Sequence, residues 1–120
     1  ALPRTVGMQN AKDLMFTARS IDVAEADAMD LIYSIHPNGE LLPAAHALAA
    51  RLAQGSKHAI GVTKKIVNRS FQSDYSTMAQ MEADGQAIMA TTDFHKEAVR
   101  RFQSKETPLY NWDAMDKTQD

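Results

Sequence analysis

The sequence predicts a mainly α-helical chain, and three observations carry that expectation. Alanine, the strongest helix former, supplies 19 of the 53 apolar residues among 120. Apolar side chains recur at helical spacing through most of the chain, and several of these stretches begin at Asp, Ser or Thr. The core is expected to be thin: Leu, Ile, Val and Phe total only 23 residues, supplemented by seven methionines. A net charge of -2 is too small to drive expansion, so an ordered domain remains the expectation.

Taken in order, Met8 to Arg19 carries Ala11, Leu14, Met15 and Ala18 on one face, following Gly7. Asp22 is placed to cap the stretch Val23 to Met29, with Glu25 completing a capping box. Leu31, Ile32, Tyr33 and Ile35 form a short β-prone run that ends at the turn signal His36-Pro37-Asn38-Gly39. Leu41 to Gln54 reads as helix, stopped by Gly55 in a left-handed cap. Ser56 caps the next helix, to about Phe71, with Ile60, Ile66, Val67 and Phe71 on its apolar side. Asp74 or Ser76 caps a further helix that turns Met78, Met81, Ile88 and Met89 inward. Thr92 starts the last helix, with Asp93 in its first turn and Phe94, Ala98, Val99 and Phe102 facing a core. From Glu106 the tail is expected to be irregular, with Leu109, Tyr110 and Trp112 as isolated apolar groups. The resulting division is residues 1–36, 37–106 and 107–120.

Composition excludes several chemistries. No cysteine means no disulfide, thiolate ligand or Cys nucleophile, and a reducing compartment fits. The absence of a long apolar run argues against a membrane span, and a cytoplasmic location is expected. The five glycines are scattered, so no phosphate-cradling loop forms. The four histidines make no close ligand pair, and no metal site is expected. Glu82 and Asp84, two apart, point to different sides of a helix and cannot share acid–base work.

Charge is segregated. Residues 20–50 hold five acids and no base, and residues 51–73 hold five bases and no acid. A solvated helix face is the plain reading; a protein-interaction module using Lys64 and Lys65 is the functional one. Nucleic-acid binding is not expected, because acids outnumber bases and no aromatic platform accompanies them.

Leu2-Pro3-Arg4-Thr5-Val6-Gly7 followed by Ala11 to Arg19 is similar to the stretch "L-P-R-x-V-G … A-x-x-L-x-x-T-x-R" of the crotonase family, the enoyl-CoA hydratase/isomerase group, and the segments that follow resemble that family in their order. Ile21-Asp22-Val23-Ala24-Glu25-Ala26 resembles its "I-x-A-x-E-A", and Leu41 to Ala53 resembles its Ala-rich helix. Ala59 to Asn68 resembles "A-x-x-x-T-K-x-x-x-N", and Thr92-Asp93, Lys96-Glu97, Phe102 and Lys105 resemble the terminal motif. There are departures: Asp30 stands for a family glycine, so that turn must differ or strain, and Glu106 stands for a basic residue after Lys105.

The resemblance implies the multi-helical C-terminal region of a crotonase-like fold, without the ββα spiral core that precedes it in the family. It implies an acyl-CoA enzyme that hydrates an α,β-unsaturated thioester or carries out related enolate chemistry. The oxyanion hole and catalytic glutamates would lie in the spiral core, so no catalytic residue is expected in this chain, which would be inactive alone. The implied partners are acyl-CoA, that N-terminal core, and sister subunits in a homotrimer or hexamer. No cofactor is implied beyond the coenzyme A thioester as substrate. Phe102 would lie by the adenine and Lys105 by a phosphate. On this reading Ala44, Ala45, Ala49, Ala50 and Ala53 let helices approach closely, and the chain alone exposes apolar surface.

Overall fold

A computed structural model describes residues 1–115, and every regular element among them is a helix. The elements are α1 (Leu2–Thr17), α2 (Val23–Ala28), α3 (Leu41–Ala53), α4 (Lys57–Arg69), α5 (Tyr75–Ala90), α6 (Asp93–Gln103) and α7 (Trp112–Met115). The chain divides into two compact units, residues 1–46 and the residues from Ala47 onward, and the division falls within α3.

In the first unit, Gly7 breaks α1: at φ 80° and ψ 165° it takes a conformation that side-chain-bearing residues avoid, and helix resumes beyond it. The Asn10 side chain donates to the Val6 carbonyl (3.0 Å) across the break. The buried apolar residues are Val6, Ala11 and Ala26. Arg19 ties α1 to α2 by donating to Asp13 (2.9 Å) and to both oxygens of Glu25. That pairing holds the Glu25 carboxyl below its ordinary value. It also completes only half of the expected capping box: Asp22 Oδ1 accepts from the Glu25 N–H (2.8 Å), but the Glu25 carboxylate is turned to Arg19.

The β-prone run at residues 31–35 forms no strand, because none of the described residues offers it a strand to pair with. Instead α2 closes with the Leu31 N–H bonded to the Ala26 carbonyl (2.9 Å) and Asp30 in the left-handed region at φ 57°. The glycine that Asp30 stands for would adopt this conformation freely, so the expected strain is located there. Gly39 takes φ 88° at the expected turn.

The second unit is built on the contact of α4 with α5, and of α5 with α6. Ser56, Asp74 and Thr92 each accept a backbone N–H three residues on, as capping predicts. Asp74 accepts both the backbone N–H and the hydroxyl of Thr77, which lowers its pKa. Thr92 also donates its hydroxyl to the Met89 carbonyl (2.7 Å), so one residue closes α5 and opens α6. Gly85 is buried where α4 crosses α5, and a Cβ there would lie 3.0 Å from Val62 Cγ1.

Several expectations are corrected. Gly55 has no positive φ; its lack of a side chain instead admits Ile60 and the Tyr110 ring, which would lie 3.1 and 3.3 Å from a Cβ. Close helix approach occurs at Gly85 rather than along the α3 alanines, since α3 buries none of its residues. The tail is not wholly irregular, because Trp112–Met115 forms a helical turn; residues 116–120 of the expected tail lie outside the described residues. Leu42, Val67 and Phe71 are exposed, as expected of the chain alone, and Ile88, expected to turn inward on α5, is exposed as well.

Candidate functional site

The last long helix and the strap after it enclose a cleft of about 400 Å³. Its α6 wall consists of Phe94, Ala98 and Phe102, which the i, i+4 spacing stacks on one face. The strap beyond α6 supplies Lys105, Glu106, Pro108, Leu109 and Tyr110 to its lining. Phe94 and Ala98 are half-buried, but Phe102 is 85% exposed. The expectation that periodicity raised, a core role for Phe102, is therefore corrected: its ring stands open at the cleft. Helical spacing identifies a shared face, but only neighbouring elements decide whether that face is covered along its whole length.

Charge at the end of α6 is arranged by pairing. The Glu97 carboxylate accepts from Arg100 through Nε (2.8 Å) and Nη2 (2.9 Å), and from Arg101 Nε (2.8 Å). Glu106 accepts from the same Arg100 through Nη1 (2.7 Å) and Nη2 (2.9 Å). The Arg100 and Arg101 hydrogen bonds push the Glu97 carboxyl down to about 2, and Arg100 lowers that of Glu106. These carboxylates are acceptors held ionised and cannot serve as a general acid near neutral pH.

Glu97 supplies a direct test. Its pKa is depressed from 4.5 to about 2, so the ion-pair network is intact above pH 4.5 and is lost as pH falls toward 2. A carboxyl-carbon NMR titration should place the Glu97 midpoint near 2. A midpoint near 4.5 would show that the pairs do not persist in solution. The groups are exposed, so the effect should be read in the titration rather than in a melting curve.

The structure brings Phe102 and Lys105, the two expected binding residues, to one cleft. Lys64 and Lys65 lie exposed on α4 and are not among its lining residues. Leu109 and Tyr110 belong to the cleft but read in the sequence only as isolated apolar groups. The available signal was Pro108, which ends helical propagation and allows the next residues to fold back. Among the described residues no group of three or more His, Asp or Glu is disposed to hold a metal ion, and no helix is long and apolar enough to cross a membrane.

Comparison with known proteins supplies the decisive observation. The family model "Enoyl-CoA hydratase/isomerase" matches residues 1–113, nearly the whole chain. The chain belongs to the enoyl-CoA hydratase/isomerase family. It is thereby a member of the crotonase superfamily. It is 34% identical over 109 residues to the Mycobacterium leprae protein named "Probable enoyl-CoA hydratase echA8", covering 91% of this chain and 42% of that protein. It is 32% identical over 104 residues to a crotonyl-CoA hydratase of Syntrophomonas wolfei, covering 87% of this chain and 40% of that protein. A crystal structure of an enoyl-CoA hydratase/isomerase from Cupriavidus metallidurans CH34 superposes with a TM-score of 0.84 at 36% identity, covering 92% of this chain and 42% of the other. The chain thus spans about two fifths of the length of the relatives it matches, and in it this enoyl-CoA hydratase/isomerase sequence is all-helical among its described residues.

Proposed function

We propose that this chain is the helical C-terminal part of an acyl-CoA enzyme, and that its α6 cleft receives the nucleotide end of coenzyme A. The observation that carries the reading is that Phe102 and Lys105, less than one helical turn apart in sequence, line one cleft. A purine ring stacked on Phe102 would cover a ring that is otherwise 85% exposed, and the Lys105 ammonium would meet a phosphate. Leu109 and Tyr110 would enclose the other face of the ring.

In the whole enzyme the reaction would be hydration of an α,β-unsaturated acyl-CoA or a related thioester-enolate step. The catalytic groups would come from a ββα spiral core outside this chain. The exposed apolar residues of α3, α4 and α5 would complete their burial against that core and against sister subunits of a homotrimer or hexamer in the cytoplasm. No group beyond the CoA thioester substrate is required by this reading.

Titrating the isotope-labelled chain with coenzyme A tests it. Resonance shifts are expected at Phe102, Lys105 and Tyr110, and Phe102→Ala should weaken binding by about 5- to 160-fold, the range for losing one base–aromatic stack. Crotonyl-CoA added to the chain alone should remain unhydrated. Shifts confined to other elements, or undiminished affinity of the Phe102→Ala chain, would remove the cleft from the proposal, and turnover would refute the assignment of catalysis elsewhere.

A further inference from the structure

Lys105 lines the cleft on a backbone that an ordinary side chain avoids. Its φ of 55° places it in the left-handed region, and α6 closes around it with the Lys105 N–H bonded to the Phe102 carbonyl (3.2 Å) and the Glu106 N–H to the Arg101 carbonyl (2.9 Å). Glycine is the usual occupant of this position because it adopts the conformation without cost. A lysine held there needs restraint from its surroundings.

The restraint is visible on both sides. Arg100 lies in the last turn of α6, and its planar guanidinium forks to Glu97 one turn earlier and to Glu106 immediately after Lys105, with two bonds to each carboxylate. Arg101 extends the pattern: its Nε donates to Glu97 (2.8 Å) and its Nη1 to the Thr107 carbonyl (3.4 Å), next to Pro108 of the cleft lining. Residues 104–107 are therefore fastened to α6 at two consecutive points. The side chain of Lys105, which lines the cleft, is not part of the fastening.

We propose that Glu106 and Arg100 are positioning residues, which hold Lys105 in its left-handed conformation so that its ammonium meets the phosphate of a nucleotide whose ring lies on Phe102. The inference rests on the reading of the cleft given above. It also gives Glu106 a role: an acid in the lining of a phosphate site opposes binding by its charge, yet here it organises the cation that binds. Charge and position thus make opposite predictions for its removal.

The experiment measures the affinity of the full 120-residue chain for adenosine 3′,5′-bisphosphate and for adenosine, for wild type, Glu106→Gln and Arg100→Lys. The ratio of the two affinities reads the phosphate contact separately from ring stacking. Both variants are expected to lose most of the preference for the bisphosphate while retaining adenosine binding. Arg100→Lys is informative because it keeps the charge and removes the planar fork. Equal or tighter bisphosphate binding by Glu106→Gln would show that its charge dominates, and an unchanged ratio in Arg100→Lys would show that the fork positions nothing; either result overturns the proposal. A wild-type chain that binds neither probe, or shows no preference between them, refutes the nucleotide reading of the cleft itself, and the positioning role falls with it. A melting curve for each variant separates lost binding from lost folding.

Discussion

Gly61→Ala should stabilise the chain and Gly85→Ala should not, although both replace a helical glycine by the best helix former. Each substitution gains up to about 1 kcal/mol of helix propensity. At Gly61 of α4 nothing lies within 4 Å of the added methyl, so that gain should appear as a higher midpoint of urea unfolding. At Gly85 of α5 the methyl would stand 3.0 Å from Val62 Cγ1 and 3.7 Å from Ile66 Cδ1. Val62 is β-branched on a helix and has one strongly preferred rotamer, so it cannot swing aside cheaply. Relief must come from α4 moving off α5, and overpacking of this kind costs about 1–3 kcal/mol. The alanine variant should therefore be neutral to destabilised by about 2 kcal/mol. If Gly85→Ala stabilised the chain as much as Gly61→Ala, the α4–α5 contact would not be as close in solution as it is here.

The contrast between these two glycines shows what the sequence could and could not convey. Both stand inside helical patterns, and nothing local distinguishes the one that faces solvent from the one that faces Val62. Features decided within a few residues were legible: Asp22, Ser56, Asp74 and Thr92 cap helices as their positions suggested, and Gly39 turns where a turn signal stood. Features decided by distant partners were not. The run Leu31 to Ile35 has the composition of a strand but, among the described residues, no strand beside it. Gly55 stands where a helix stops, yet its bareness serves the Tyr110 ring 55 positions further on. The candidate site divides in the same way. Phe102 and Lys105 came from a motif resemblance, while spacing alone would have buried Phe102 in the core. Tyr110 and Leu109 became legible only when the strap was seen folding back on α6.

That strap is anchored at its far end by Arg51, and Arg51→Ala should release it. The Arg51 guanidinium lies 3.9 Å from the centroid of the Trp112 ring, and its Nη2 donates to the Trp112 carbonyl (3.3 Å). Arg51 sits in the last turn of α3, where a cation is favoured by the carbonyl end of the helix. Trp112 in turn lies 6.3 Å from the Tyr110 ring, and Tyr110 is seated against Gly55. The end of α3 thus holds the tail at two points, and the tail carries one wall of the cleft. A stacked cation contributes about 0.5–2 kcal/mol and the hydrogen bond about 0.5–1.5 kcal/mol, so losing both should cost about 1–3.5 kcal/mol. Trp112 is the single tryptophan, so its emission reports the event without a label. Arg51→Ala should shift that emission to longer wavelength as the indole meets water, and should lower the affinity of the cleft for adenosine. Arg51→Lys should fall between, because an ammonium retains attraction to the ring but cannot stack as a plane. Unaltered emission in Arg51→Ala would mean that the tail is held by Tyr110 and Gly55 without the cation.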